Sequence, residues 1–439
     1  MVSSVHVDGS LPDAGDAAPR GLVFAGAWGV EYDFVANAVV ADNQPRRLAG
    51  LGFPAPYDRD LEGALRGRGR FSSYLYLFKN GRYLTLDAAT MRVAGPVDGA
   101  STAADWKLPL DWTGFDAVLP GRGKKAGYCY FFRGGEYIRY DWNAIAPSPG
   151  YPRQIGAHWH LSAPFDANID GVIAGQGAEY GKRGYVFATL GRDVDGEANP
   201  VAPGPDSFRV RAPAYARHDF DDEVFAGQED QPRRVTELWV GLLPLLDAGP
   251  AIDTALAWCD AALAALSGPA TPAVSAALGH HFMNPAPGVG ERNAIADHMR
   301  RVRDRLAALP ANFRWISGMD VAARNSPGNY TEIGDRFSNN AGPNGRAAIM
   351  VHEAVHFVVT NPVLVDVPEW SGGTVNGTPW GVSDPIPGVA VSGIAYRSLT
   401  TAQAIDNPSS YAAFAQEIFF TPTMPGAADT RFGAARPHE

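Results

Sequence analysis

The chain has little sulfur, no excess of positive charge and no long apolar run, and each deficit argues against a class of protein. Two cysteines, Cys129 and Cys259, occur in 439 residues, which is too few and too far apart for a disulfide framework. One lies in an aromatic strand pattern and the other in an Ala/Leu helix pattern, so two buried, inert thiols are expected. Lys and Arg number 37 against 47 Asp and Glu, a net charge of −10. No basic cluster breaks that balance, which argues against a nucleic-acid or anionic-membrane surface. No run of eighteen apolar residues is present, so no membrane span is expected. The segment Met1 to Gly9 lacks a basic n-region and an apolar h-region, so no secretory signal is expected; the cellular address stays open between cytoplasm and a non-classical or specialised export route.

What is present is globular: 46% hydrophobic and 19% charged residues, in a chain too long for one ordinary core. Two domains are expected. The first half repeats. Leu61-Glu62-Gly63-Ala64-Leu65-Arg66-Gly67 recurs as Phe115-Asp116-Ala117-Val118-Leu119-Pro120-Gly121 and as Ile169-Asp170-Gly171-Val172-Ile173-Ala174-Gly175, in steps of 54 residues. Phe78, Gly81 and Tyr83 recur as Phe132, Gly135 and Tyr137 at the same step, and Phe24 precedes Phe78 by 54. The repeat is therefore four-fold. Each unit pairs an aromatic strand such as Tyr74-Leu75-Tyr76-Leu77-Phe78 with a second strand such as Arg82-Tyr83-Leu84-Thr85-Leu86 across an Asn80-Gly81 turn,. Four small sheets set radially hide their edges, which predicts a four-bladed β-propeller.

These marks, with the tails beginning Pro45-Arg46 and Pro152-Arg153, resemble hemopexin-like repeats over residues 20 to 225. The cysteine pair that joins first and last blades in many members is missing, and the fourth unit is irregular around Gly191 to Pro205. The resemblance implies a channel in which an ion could sit, near Asp116 and Asp170 and less clearly Glu62; a carboxylate capping the strand start is the alternative. His158 and His160 could be a ligand pair or plain surface residues. The propeller face is expected to bind a protein or a glycan.

Chemistry is concentrated in His352-Glu353-Ala354-Val355-His356. Two imidazoles four residues apart share one face of a helix, and zinc held by them lowers the pKa of a bound water to about 7 beside Glu353 as general base. The flanks, Ala347 to Val351 and Phe357 to Val359, are apolar, so a buried helix is expected, stopped by Asn361-Pro362,. Before it, Leu/Ala patterns predict helices over 233–246 and 252–266 separated by Asp247-Ala248-Gly249-Pro250, and an amphipathic surface helix over 292–309 with Ile295, Met299, Val302 and Leu306 inward and His298 solvated,. The stretch 330–337 reads as an edge strand.

Residues 278 to 420 resemble the deuterolysin-like (M35, aspzincin) and lysine-specific metalloendopeptidases, through Leu278-Gly279-His280-His281-Phe282, Ile333-Gly334, the HExxH helix and Asp406-Asn407-Pro408-Ser409-Ser410-Tyr411. The resemblance implies a third zinc ligand, an aspartate three residues before a tyrosine. Tyr396 fits the tyrosine position and would stabilise the oxyanion, yet Gly393 stands where the aspartate should be. Glu417, 61 residues after His356, is the leading substitute, placed like the ligand of gluzincins; Asp384, Asp366 and Glu369, in the Gly/Pro-rich insertion of Thr360 to Val391, are the others. That insertion, with Trp370 and Trp380, reads as a lid or as a structural wrapper.

The expected chain is thus multidomain: a tail (1–19), a hemopexin-like four-bladed propeller (20–225), a linker with a first helix (226–250) and a mainly α, α+β zincin-type domain (251–439). The expected function is zinc-dependent cleavage of peptide bonds in a protein substrate, with Glu353 and Tyr396 catalytic and His352, His356 and Glu417 on Zn2+. The alternative is a non-catalytic binding protein with a degenerate peptidase domain, or a delivered effector or toxin.

Overall fold

A computed structural model describes residues 7–12, 19–40, 45–161, 165–190, 212–220, 224–225, 233–234 and 242–309, then with short interruptions 313–337, and 343–359, 374–375, 378–379 and 399–420. The chain divides into two compact units, with the boundary between Leu246 and Asp247.

Four antiparallel sheets build the first unit. The first contains β1 (Gly9–Pro12), β2 (Arg20–Ala25), β3 (Trp28–Asp33), β4 (Ala38–Val39) and β5 (Arg46–Arg47). The second contains β6 (Gly63–Arg66), β7 (Tyr74–Lys79), β8 (Arg82–Asp87) and β9 (Ala100–Ser101). The third contains β10 (Ala117–Pro120), β11 (Tyr128–Arg133), β12 (Glu136–Asp141), β13 (Ala146–Pro147) and β14 (Arg153–Gln154), and the fourth β15 (Gly171–Ala174), β16 (Arg183–Leu190), β17 (Ala212–Asp219), β18 (Val224–Phe225) and β19 (Arg233–Arg234). The repeat is written into the register: Gly9 faces Phe24, Gly63 faces Phe78 and Ala117 faces Phe132. In the fourth sheet Gly171 faces Phe187, one residue beyond the period.

Gly9, Gly63, Ala117 and Gly171 are 54 apart because the first strands of successive sheets crowd together. The neighbours are β1 and β6, β6 and β10, β10 and β15, and β15 and β1. A Cβ on Gly171 would lie 1.5 Å from the Val7 carbonyl oxygen, and one on Gly63 would lie 2.8 Å from Val118, so only the smallest side chains fit. Ala174 N–H also donates to Ser10 Oγ at 3.1 Å, tying the fourth sheet to the first where no disulfide does.

The segment expected to be a tail therefore supplies the first strand of the first sheet, and the first unit extends past residue 225 to β19. Its acidic entry residue is Asp8, 54 before Glu62. Asp8 accepts from Gly26 N–H at 2.8 Å, Glu62 from Asn80 N–H at 2.9 Å and Asp116 from Gly134 N–H at 2.6 Å. Those three donors sit at the same hairpin position with φ of 56, 51 and 57°, the left-handed conformation that Gly and Asn tolerate. These carboxylates cap turns, the alternative weighed for Glu62 and Asp116.

Burial pushes the Asp8 carboxyl up to about 8, against the opposing bond from Gly26. A carboxyl whose folded pKa is raised contributes stability below its unfolded pKa, and that stability is lost as pH climbs from about 4 through about 8. Asp8→Asn keeps an acceptor for Gly26 and is expected to raise the melting temperature of this unit at pH 8 but not at pH 4. An equal effect at both pH values would refute the cause.

The cores lie between successive sheets. Phe78 meets Phe131 edge-on at 5.5 Å, and Trp106 packs on Tyr140 at 4.9 Å, pairs that each add about 0.5–1.5 kcal/mol beyond area burial. Cys129 is buried and free within this cluster, as is Cys259 in the other unit, and burial raises both thiols well above the ordinary range. His158 and His160 are exposed at the end of the short helix Ile155–Trp159, as surface residues.

The second unit is mainly helical: α1 (Leu242–Ser267), α2 (Pro272–Phe282), α3 (Val289–Ala308), α4 (Pro343–Val358), α5 (Thr401–Ile405) and α6 (Pro408–Phe420). A small sheet of β20 (Phe313–Trp315), β21 (Ala323–Ser326) and β22 (Tyr330–Ile333) has the order β20-β22-β21, and β23 (Thr374–Val375) pairs with β24 (Thr378–Pro379). Three expectations change here. The helices expected over 233–246 and 252–266 are one helix of 26 residues, Leu242–Ser267, with Pro250 inside it, and Arg233–Arg234, expected to open the first of them, form β19 instead; the apolar stripe on both sides of Pro250 outweighs the hydrogen bond that proline removes. The stretch from Tyr330 is the central strand, paired on both sides, and β21 is the strand next to α4. His298 is half-buried, its Nδ1 2.8 Å from Tyr411 Oη, because α3 packs its inner face into the unit; Ile295, Met299, Val302 and Leu306 are buried as expected.

No single helix among the described residues is long and apolar enough to cross a membrane.

Candidate metal centre

Helix α4 carries the HExxH segment and is packed by α3, α6 and β21. Its run from Ala347 to Val351 is buried, which fixes the rotation of the helix and hence the face on which the imidazoles project. His352 and Glu353 are buried, and His356 is half-buried. The Nε2 atoms of His352 and His356 are 3.2 Å apart. Two nitrogens on one tetrahedral zinc, each at about 2.0–2.1 Å, would be about 3.3 Å apart. A direct N–H···N bond has a similar span, so the separation suits an ion without demanding one.

His352 Nδ1 lies 3.3 Å from Ser409 Oγ on α6. With its proton on Nδ1 the ring donates to that hydroxyl and leaves the Nε2 lone pair free for a metal, the arrangement that commonly orients histidine ligands. Asn325 on β21 donates from Nδ2 to the Glu353 carbonyl at 2.8 Å, holding the middle of the motif against the sheet. Arg346, near the start of α4, is buried against Asp247 of α1. Asp247 lay in the segment expected to be a linker; a hydrophilic residue in an apparent break offered no sign that it would be buried.

Helix α6 is buried on nearly every side from Pro408 to Ile418, so its polar residues need partners inside the protein. Glu417, read from sequence as a zinc ligand or a solvated residue, is 4% exposed. Its Oε2 lies 2.7 Å from His281 Nε2 and 3.2 Å from His280 Nδ1. Burial raises the Glu417 carboxyl, but the bonds and charges of His281 and then His280 outweigh it and bring the value to about 2. A depressed carboxyl contributes stability above its unfolded pKa, which is lost as pH falls from about 4.5 toward 2.

The structure thus brings His352 next to His356, and Glu417 next to His280 and His281. Among the described residues the trio whose ligand atoms all lie within 4.8 Å of one another is His280, His281 and Glu417; the set His352, His356 and Glu417 expected from sequence is not gathered in that way. Tyr396, Asp366, Glu369 and Asp384 lie outside the described residues. The His280-His281 pair was legible only as part of a family-like segment, since adjacency in sequence says nothing about a carboxylate 136 residues away.

A family match falls in the first unit. The Hemopexin family model matches residues 115–160, the third sheet and its flanks. The N-terminal region is hemopexin-like and β-rich, and the C-terminal region is helical. Among solved structures, the hemopexin-fold protein CP4 from cow pea is 15% identical and aligns over 54% of this chain and 96% of its own, with TM-score 0.39. LS24, a seed albumin from Lathyrus sativus, is 13% identical over 55% of this chain and 97% of its own, with TM-score 0.40. A zinc peptidase from Grifola frondosa is 17% identical over 41% of this chain and 96% of its own, with TM-score 0.27. No curated protein matches the chain.

Proposed function

We propose that the helical unit is a zinc-dependent peptidase of the zincin type, related to the deuterolysin-like family, and that the four sheets close into a four-bladed propeller that directs it to a protein substrate through a protein or glycan on its surface. The observation that carries the enzymatic reading is the convergence of the His352 and His356 Nε2 atoms, 3.2 Å apart, on a buried helix with Glu353 beside them. Two imidazoles, one oriented by Ser409, are a donor set that suits zinc.

His352 and His356 would hold the ion, and a further protein oxygen is needed for a firm site. Glu417 is engaged by His280 and His281, so Asp366, Glu369 or Asp384 is the preferred source. Bound zinc supplies a Lewis acid that acidifies water and polarises a carbonyl. In this reading Glu353 would take the proton from the attacking water and deliver it to the departing amine, and Tyr396 would donate to the developing oxyanion. In the propeller, a channel cation would be held by backbone carbonyls, since the entry carboxylates Asp8, Glu62 and Asp116 accept from turn N–H groups.

Metal analysis of the purified chain tests this. His352→Ala and His356→Ala are each expected to lower zinc retained after dialysis by about one ion per chain, an effect of removing one of few ligands. Unchanged zinc content in both variants would favour the competing reading, a binding protein whose helical unit has lost its chemistry, which the missing aspartate at Gly393 supports.

A further inference from the structure

We propose that His280, His281 and Glu417 form a second divalent-metal site, with a ligand set separate from the HExxH pair. His280 and His281 close helix α2 in its last turn, where the negative end of the helix dipole favours a cation. Neighbouring residues on a helix point about 100° apart, yet both rings reach one carboxylate because they use different nitrogens. His280 approaches through the near Nδ1, at 3.2 Å from Oε2 and 3.3 Å from Oε1, and His281 through the far Nε2, at 2.7 Å.

The spacing is close to what an ion imposes. Ligand atoms at about 2.0–2.1 Å from a tetrahedral zinc are about 3.3 Å apart; His280 already meets that separation, and His281 and Glu417 need to part by about half an ångström. Charge argues the same way. Glu417 and His281 are 4% and 2% exposed, and the walls include Phe282 stacked edge-on against Phe414 at 5.4 Å. A carboxylate in such surroundings needs a positive partner, and one imidazolium would suffice. A second imidazole aimed at the same carboxylate exceeds that need but is what a metal with three protein ligands requires. The His280 side chain is 62% exposed, which gives an entry path and a fourth position open to water. Two imidazoles and one carboxylate suit Zn2+, Co2+ or Ni2+ and not Ca2+ or Mg2+, which take oxygen ligands. A bound ion would cross-link α2 to α6.

Titration of Co2+ into the untagged chain, followed by its visible absorption and by dialysis, separates this site from the first. The His352→Ala/His356→Ala double variant is expected to keep about one Co2+ per chain, and adding Glu417→Gln to weaken that binding by about 10–100-fold, the loss typical of a metal-site residue. A double variant that keeps its helical circular dichroism but binds no Co2+ overturns the proposal, as does Co2+ affinity unchanged by Glu417→Gln. If Glu417→Gln fails to fold, His280→Ala decides: the side chain is 62% exposed, so the variant is expected to keep its helical circular dichroism and to weaken Co2+ binding about 10-fold, and unaltered affinity refutes the site. A wild-type chain with one ion that survives the double variant would sink the peptidase reading and support this one.

Discussion

Glu353→Gln is expected to reduce hydrolysis of an unfolded protein substrate by about 10²–10⁴-fold, the range that a positioned general base contributes. Glutamine keeps the volume and shape of the side chain, so the packing of α4 and the positions of His352 and His356 are retained. It cannot accept a proton. The loss therefore falls on kcat with KM little changed, because the interaction removed exists only in the transition state. Zinc content should be that of the wild type, which separates this variant from His352→Ala. Undiminished turnover at full metal loading would remove Glu353 from the mechanism.

Arg346→Ala is expected to destabilise the helical unit by about 3–5 kcal/mol, because it takes the guanidinium away from the buried Asp247 carboxylate,. The pair is nearly sealed from solvent, with side-chain exposures of 7% on both sides, and it joins α1 to the helix that carries the HExxH segment. A loss of that size is a large part of the roughly 5–15 kcal/mol that holds a typical domain folded. Replacing both residues, as Arg346→Met/Asp247→Leu, removes the charge together with its counter-charge and should recover most of the loss. Chemical denaturation of the two variants checks this; a double variant as unstable as the single one would show that the pair does more than neutralise itself.

The first unit was largely legible because its information is periodic. The 54-residue step placed the hairpins, and strands such as Tyr74–Lys79 and Arg82–Asp87 fall where alternation and the Asn80-Gly81 turn put them. Asp8-Gly9 obeys the same step, but a first strand as short as Gly9–Pro12 carries too little local pattern to stand out from a tail. In the second unit, helices with a regular apolar stripe were legible, such as Val289–Ala308, and so was the shared face of His352 and His356. Proline at 250 marks a break by local propensity, but packing on both sides of it keeps the helix continuous,.

Residue order alone determined the repeat, the helical spacing that puts two imidazoles side by side, and the burial of both cysteines, because each follows from a short-range pattern or from composition. Only the tertiary structure decided that Glu417 meets His280 and His281, that Ser409 orients His352, and that Asp247 neutralises Arg346. Those contacts join residues 57 to 137 positions apart, and such encounters are set by how buried helices stack, a property that no local pattern encodes.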